Sequence, residues 1–114
     1  MSTRWQIVAK LNDGNYGCIY VHCDGYPEYA LRTLRKNYND QDKIEQLIGL
    51  GDCLSIESTI AKCETFHGRD EDWDTVKPDY APTAKEAGDK HHHGDEECGY
   101  VWDGVSWEQI TPER

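Results

Sequence analysis

Trp5-Gln6-Ile7-Val8-Ala9-Lys10-Leu11, followed by Asn12-Asp13-Gly14-Asn15 and then Tyr16-Gly17-Cys18-Ile19-Tyr20-Val21-His22-Cys23, is the stretch that decides the fold class. In the first run Trp5, Ile7, Ala9 and Leu11 fall on one side of an extended chain, with Gln6, Val8 and Lys10 on the other. That alternation predicts a half-buried strand. Asp13-Gly14 flanked by asparagines tolerates positive φ and predicts a tight turn. The run from Tyr16 is rich in β-branched and aromatic residues and predicts the returning strand. The first 23 residues are therefore expected to form a β-hairpin.

Outward from the hairpin, Asp24-Gly25-Tyr26-Pro27 breaks the strand. Pro27 and Glu28 suit the first turn of a helix that continues through Tyr38, with Ala30, Leu31, Leu34 and Tyr38 at helical spacing. Asp24 is expected to cap it, and Arg35 and Lys36 sit in the last turn, where cations are favoured. Asn39-Asp40 predicts the cap of a second helix over Gln41 to Leu50, with Ile44, Leu47 and Ile48 as its buried stripe. Leu54 to Ile60 fits a short helical turn, and Lys62 to Phe66 a strand. From His67 to Glu97 periodicity is lost, and at most one helical turn is expected, over Thr83 to Ala87. Tyr100-Val101-Trp102, Asp103-Gly104 and Val105-Ser106-Trp107-Glu108 then predict a second hairpin with a type I′ turn. The expected architecture is α+β: an antiparallel sheet from the N- and C-terminal hairpins with two helices on one face. The whole chain, 1–114, is expected to be a single domain, with 67–97 an acidic, loop-rich insertion.

Charge is distributed unevenly. Residues 1–50 hold six Lys/Arg and six Asp/Glu, whereas residues 51–114 hold six and sixteen, so the whole net charge of −10 belongs to the second half. Such a field repels nucleic acid and attracts basic surfaces. Only 37% of residues are hydrophobic, but four Trp, seven Tyr and one Phe supply bulk for a thin core. That thinness makes a homodimer conceivable. No run approaches the roughly 18 apolar residues of a membrane span. The start, Met-Ser-Thr-Arg-Trp-Gln, lacks a secretory stretch, which leads to an expected cytoplasmic location. Five scattered cysteines without a C-x-x-C pair fit reduced, buried thiols.

Two blocks carry a resemblance. Ile19-Tyr20-Val21-His22-Cys23-Asp24-Gly25-Tyr26-Pro27 leads into a helix, and Tyr38 to Asp52 ends in Leu47-Ile48-Gly49-Leu50-Gly51-Asp52. With the closing Tyr100-Val101-Trp102-Asp103-Gly104-Val105-Ser106-Trp107, the chain resembles a family of small bacteriophage-encoded proteins, over roughly residues 3–56 and 98–108. It departs from that family at His22-Cys23-Asp24, where members often place Trp after His. The resemblance implies phage origin, action in the host cytoplasm, and a class of accessory proteins that often block host defences. It assigns no functional residue.

Three constellations remain. Neighbours on a strand point to opposite faces, so His22-Cys23-Asp24 is better suited to stabilising a turn than to ligating metal. His91-His92-His93 and Cys98 have ligand types but lack the paired spacing of a zinc site. No metal or other cofactor is therefore expected. No nucleophile elbow, H-E-x-x-H or phosphate loop is present, and no enzymatic activity is expected. The acidic runs are most informative. From Asp70 to Asp103 there are eleven acids and three lysines. Duplex DNA carries one charge per about 1.7 Å, so such a segment can compete for a Lys/Arg groove. The leading expectation is an anti-defence inhibitor of anti-CRISPR or anti-restriction type, a DNA mimic binding a host complex stoichiometrically without binding nucleic acid itself. Asp70, Glu71, Asp72, Asp74 and Asp79 would supply charge, with Trp73 and Tyr80 as anchors. The alternative is a binder that sequesters a nucleotide defence signal through His22, Arg32 and Arg35.

Overall fold

The computed structural model describes residues 3–92, 94 and 96–110. Among these residues seven strands run in the order β1 (Trp5–Lys10), β2 (Tyr16–Val21), β3 (Cys53–Ser55), β4 (Glu64–Thr65), β5 (Asp79–Ala81), β6 (Cys98–Trp102) and β7 (Trp107–Ile110). The helices are α1 (Ala30–Asn37), α2 (Gln41–Gly49), the single turn α3 (Trp73–Val76) and α4 (Ala84–Lys90). The sheet order is β4-β3-β2-β1-β6-β7, with β5 also paired to β2.

The fold is α+β, but its sheet is mixed rather than antiparallel. β1 and β2 form the expected hairpin, Trp5 opposite Val21 and Lys10 opposite Tyr16. Gly14 takes φ +87 in its turn. β6 joins the other edge of β1 in parallel, Trp5 opposite Cys98, and β2–β3 is parallel as well. The second hairpin pairs β6 with β7 antiparallel through a four-residue loop, Trp102 opposite Trp107. Asp103 Oδ1 accepts from the amides of Val105 and Ser106, which replaces the expected two-residue turn and leaves Val105 84% exposed.

β1 is buried on both faces, Trp5 through Ala9, rather than half-buried. One face, bearing Trp5, Ile7, Ala9, Ile19 and Val21, packs on Leu34 and Tyr38 of the α1 region and on Ile44, Leu47 and Ile48 of α2. Each Val, Leu or Ile among them contributes roughly 1.5–3 kcal/mol on burial. The polar ends of the core aromatics are satisfied. Trp107 Nε1 donates to the Tyr38 carbonyl at 2.7 Å, Trp102 Nε1 to Gln41 Oε1 at 2.9 Å, and Trp5 Nε1 to the Cys23 carbonyl at 2.7 Å. On the other face Val8 and Cys18 meet Ala84 and Ala87 of α4. Gln6 Nε2 donates to the Gly88 carbonyl at 3.0 Å.

Asp40 caps α2 by accepting from the Asp42 amide, as expected. Asp24 does not cap α1. It sits at φ +66 in the preceding turn, and α1 begins at Ala30 with no side-chain cap. That turn wraps Trp5: a Cβ on Gly25 would lie 2.7 Å from the indole, and Tyr100 donates its hydroxyl to the Gly25 carbonyl at 2.6 Å. Leu54 and Ser55 are strand rather than helical turn, and the 3-10 turn comes later, at Ile60–Lys62. Residues 67–97 also depart from the expected loop. They supply α3, the sheet strand β5 and α4, which is capped by Thr83, whose Oγ1 accepts from the Glu86 amide and donates to Glu86 Oε1, both at 3.1 Å.

Candidate functional site

The acidic segment folds into two layers. The outer layer begins where β4 ends, at Phe66. A 3-10 turn, His67–Arg69, closes with Asp70 in the left-handed region at φ +69. The Asp70 amide then donates to the His67 carbonyl and the Glu71 amide to that of Phe66, each at 3.1 Å. Asp72 precedes α3, and its carbonyl accepts from the Thr75 amide and hydroxyl. These backbone bonds tie the turn down while its side chains face outward: Asp70, Glu71, Asp72 and Asp74 are all exposed. Lys77 lies 3.8 Å from Asp74, with both side chains more than half exposed, a contact of little energetic weight. Among the described residues, Asp70, Glu71 and Asp72 have no cation within ion-pair distance.

Trp73 stands among these carboxylates and is 37% exposed. Its ring lies over Gly51, where a Cβ would come within 2.9 Å of the indole, and Gly51 itself takes φ +75. The His67 ring meets Trp73 edge-on, with centroids 5.2 Å apart. Gly49, Leu50, Thr65, His67 and Trp73 line an open groove of about 480 Å³. Tyr80 is 46% exposed on β5, and its ring approaches Gly17 of β2. Burial, and then the nearby Asp13 and Glu45, raise its phenol above the usual value.

The inner layer is a buried network. The outer edge of β2 is shared: β5 pairs with residues 16–18 and β3 with Val21. Between them the Tyr20 amide donates to Asp52 Oδ1 at 2.9 Å, so a side chain bridges the interruption in the ladder. His91, at the C-terminus of α4, presses Nε2 to the same Asp52 oxygen and Nδ1 to Asp79 Oδ2, both at 2.6 Å. Burial works against charge on His91, but the hydrogen bonds and charges of Asp52 and then Asp79 outweigh it, and its pKa is raised above 6.5. An imidazolium donating from both nitrogens matches this geometry. Next to it His92 Nδ1 lies 3.0 Å from Glu96 Oε1, with Glu96 fully buried. Burial first, and then Glu96, Asp52 and Asp79, push the Cys18 thiol well up, so it is an inert thiol.

This network holds rather than reacts. His91 has both nitrogens committed and a side chain only 5% exposed, so it has no free position from which to take a substrate proton. It locks α4 and β5 to the entry of β3. A polar cavity of about 160 Å³ beside it is lined by Asp74, Thr75, Lys77, Asp79, Lys90, His91 and His92. Among the described residues no group of three or more His, Cys, Asp or Glu is placed to hold a metal ion. His93 lies outside the described residues.

The expected partner-binding residues therefore divide. Asp70, Glu71, Asp72, Trp73 and Asp74 form one exposed turn, and Tyr80 is exposed on β5. Asp79 belongs to the buried network and is only partly accessible. Its partner His91 carried no sequence signal beyond the His91-His92-His93 run. The alternative ligand set also separates. Arg32 and Arg35 line a groove of about 490 Å³ with Pro27, Glu28, Leu31 and Lys36. Arg35 also donates to the Trp107 carbonyl at 3.0 Å. His22 instead bonds the Tyr20 hydroxyl through Nδ1 at 2.8 Å and stands edge-on to Phe66. No helix among the described residues is long and apolar enough to cross a membrane. Comparison of the chain with protein-family models, curated proteins and solved structures gives no match.

Proposed function

We propose that this protein is a stoichiometric binding protein whose exposed acidic turn, Asp70, Glu71, Asp72 and Asp74 around Trp73, docks on a basic surface of a protein partner. One observation carries the reading. The carboxylates of Asp70, Glu71, Asp72 and Asp74 stay solvated, with only the weak, exposed Lys77 contact to Asp74 among them, whereas Asp52, Asp79 and Glu96 are paired with histidines. Carboxylates needed only for solubility do not have to surround a half-exposed tryptophan, and an aromatic among charges is the usual anchor of an interface. The phage resemblance narrows the partner to a host defence complex with a nucleic-acid-binding groove, a CRISPR effector or a restriction enzyme, met in the host cytoplasm.

Electrostatic steering makes association fast and salt-sensitive. The test is capture of partners from a phage-host lysate at low and high salt, followed by triple charge reversal Asp70→Lys, Asp72→Lys and Asp74→Lys. The reading expects a nucleic-acid-handling complex that is released by salt and lost in the triple variant. Retention of inhibition by that variant overturns it.

A second reading is supported by the groove of Arg32, Arg35 and Lys36, whose three cations suit a phosphorylated small ligand. A nucleotide would then raise the melting temperature with no protein partner present. His22 is not among the residues that line this groove, so its substitution should leave that shift unchanged.

A further inference from the structure

Resting on the acidic-face reading, we infer that the groove between Trp73, His67, Thr65 and Gly49-Leu50 seats an arginine side chain of the partner, in preference to lysine. Three observations converge. The groove, about 480 Å³, is large enough for a long side chain and is walled by the Trp73 indole and Leu50, surfaces that suit a weakly hydrated planar cation. Trp73 is held in place from beneath by Gly51 and from the side by His67, so its ring needs little further ordering on binding. The approach is negative: Asp70, Glu71, Asp72 and Asp74 lie within four residues of the indole and are all exposed.

His67 sharpens the choice. Its Nδ1 lies 3.1 Å from the Glu71 carbonyl oxygen, which accepts and so places the proton on Nδ1. In the tautomer that carries its proton on Nδ1, Nε2 holds a lone pair that can accept. Guanidinium brings five donors in one plane and stacks on an aromatic face, whereas ammonium is a strongly hydrated point charge. The groove thus adds to the general attraction of the acidic turn a contact that distinguishes between two cations of equal charge.

The test compares a labelled six-arginine peptide with a six-lysine peptide by fluorescence anisotropy at about 50 mM salt. Wild type is expected to bind the arginine peptide at least about fivefold tighter. Trp73→Leu, which keeps apolar cover over Gly51 but has no π face, is expected to weaken the arginine peptide more than the lysine peptide and so bring the ratio to near one. Its fold is checked by circular dichroism. Triple neutralisation of Asp70, Asp72 and Asp74 to Asn should weaken both peptides and preserve the ratio. A second readout uses the burial of the other tryptophans, with Trp5, Trp102 and Trp107 all under 5% exposed. Acrylamide quenching in wild type therefore reports on Trp73, and the arginine peptide should suppress it. Equal affinities in wild type, an unchanged ratio in Trp73→Leu, or unprotected Trp73 overturns the arginine seat. In each of those cases, weaker binding of both peptides by the neutralised variant leaves the acidic-face reading standing. Absence of binding by either peptide overturns both.

Discussion

Two sets of carboxylates meet opposite fates. Asp70, Glu71, Asp72 and Asp74 sit on a turn held by its own backbone bonds, with side chains in water. Asp52 and Asp79 sit against one histidine, and Glu96 against the next. The first set costs the fold little and is open to a partner. The second is part of what closes the outer edge of β2. Charge count alone does not separate them; the presence of an imidazole and of an interrupted ladder does.

The largest way to break this contrast is to remove the shared cation. His91→Leu leaves Asp52 and Asp79 facing each other without it, and breaking a buried pair costs about 3–5 kcal/mol. Urea unfolding should show that loss. Asp72→Asn, a change outside the network, should stay within about 0.5 kcal/mol of wild type. Equal costs for the two would erase the distinction. Gly51→Ala tests the support of the outer layer. It combines a strained φ with a clash against the Val76 carbonyl oxygen at 2.6 Å and the Trp73 ring at 2.9 Å, and should lower stability by about 1–3 kcal/mol. It should also change tryptophan emission, since the one well-exposed indole must move.

Acidity gives a third test. His91 has a raised pKa in the folded protein, so its stabilisation is fully present below about 6.5, its value when unfolded. It is lost as pH rises on the alkaline side, through the folded value. The stability advantage of wild type over His91→Gln should therefore shrink steadily from pH 6 to pH 9. An advantage that grows with pH would show that the imidazole is held neutral. The smallest expected effect is Thr83→Ala, about 1 kcal/mol for one cap of α4, read as a lowered melting temperature with the outer turn unaffected.

Much of this was legible in the residues. Alternation in Trp5–Leu11 and the Asp13-Gly14 turn determine the first hairpin locally, and Asp40 with Ile44, Leu47 and Ile48 determines α2. The parallel pairing of β1 with β6 joins residues about 90 apart, as in Trp5 with Cys98, and leaves no local mark. A trace of it was present, since Trp5-Gln6-Ile7-Val8-Ala9 is nearly continuous in apolar residues, as suits a strand covered on both sides. The helix that covers its second face uses Ala84, Ala87 and Gly88, too small to register as a hydrophobic stripe. Its signal was the Thr83-x-x-Glu86 cap. The acidic turn could be read from charge. The role of Asp79 could not, because it depends on His91, twelve residues away on another element.

The parallel seam between β1 and β6 also sets an order of events during synthesis. The first hairpin can close as soon as Val21 has left the ribosome, but one edge of β1 must wait until residues 98–102 have been made. Until then a strand of Trp, Ile and Val presents an unpaired backbone to other nascent chains. Sequence-distant pairing of this kind is slow to find, which lengthens the time that edge stays open.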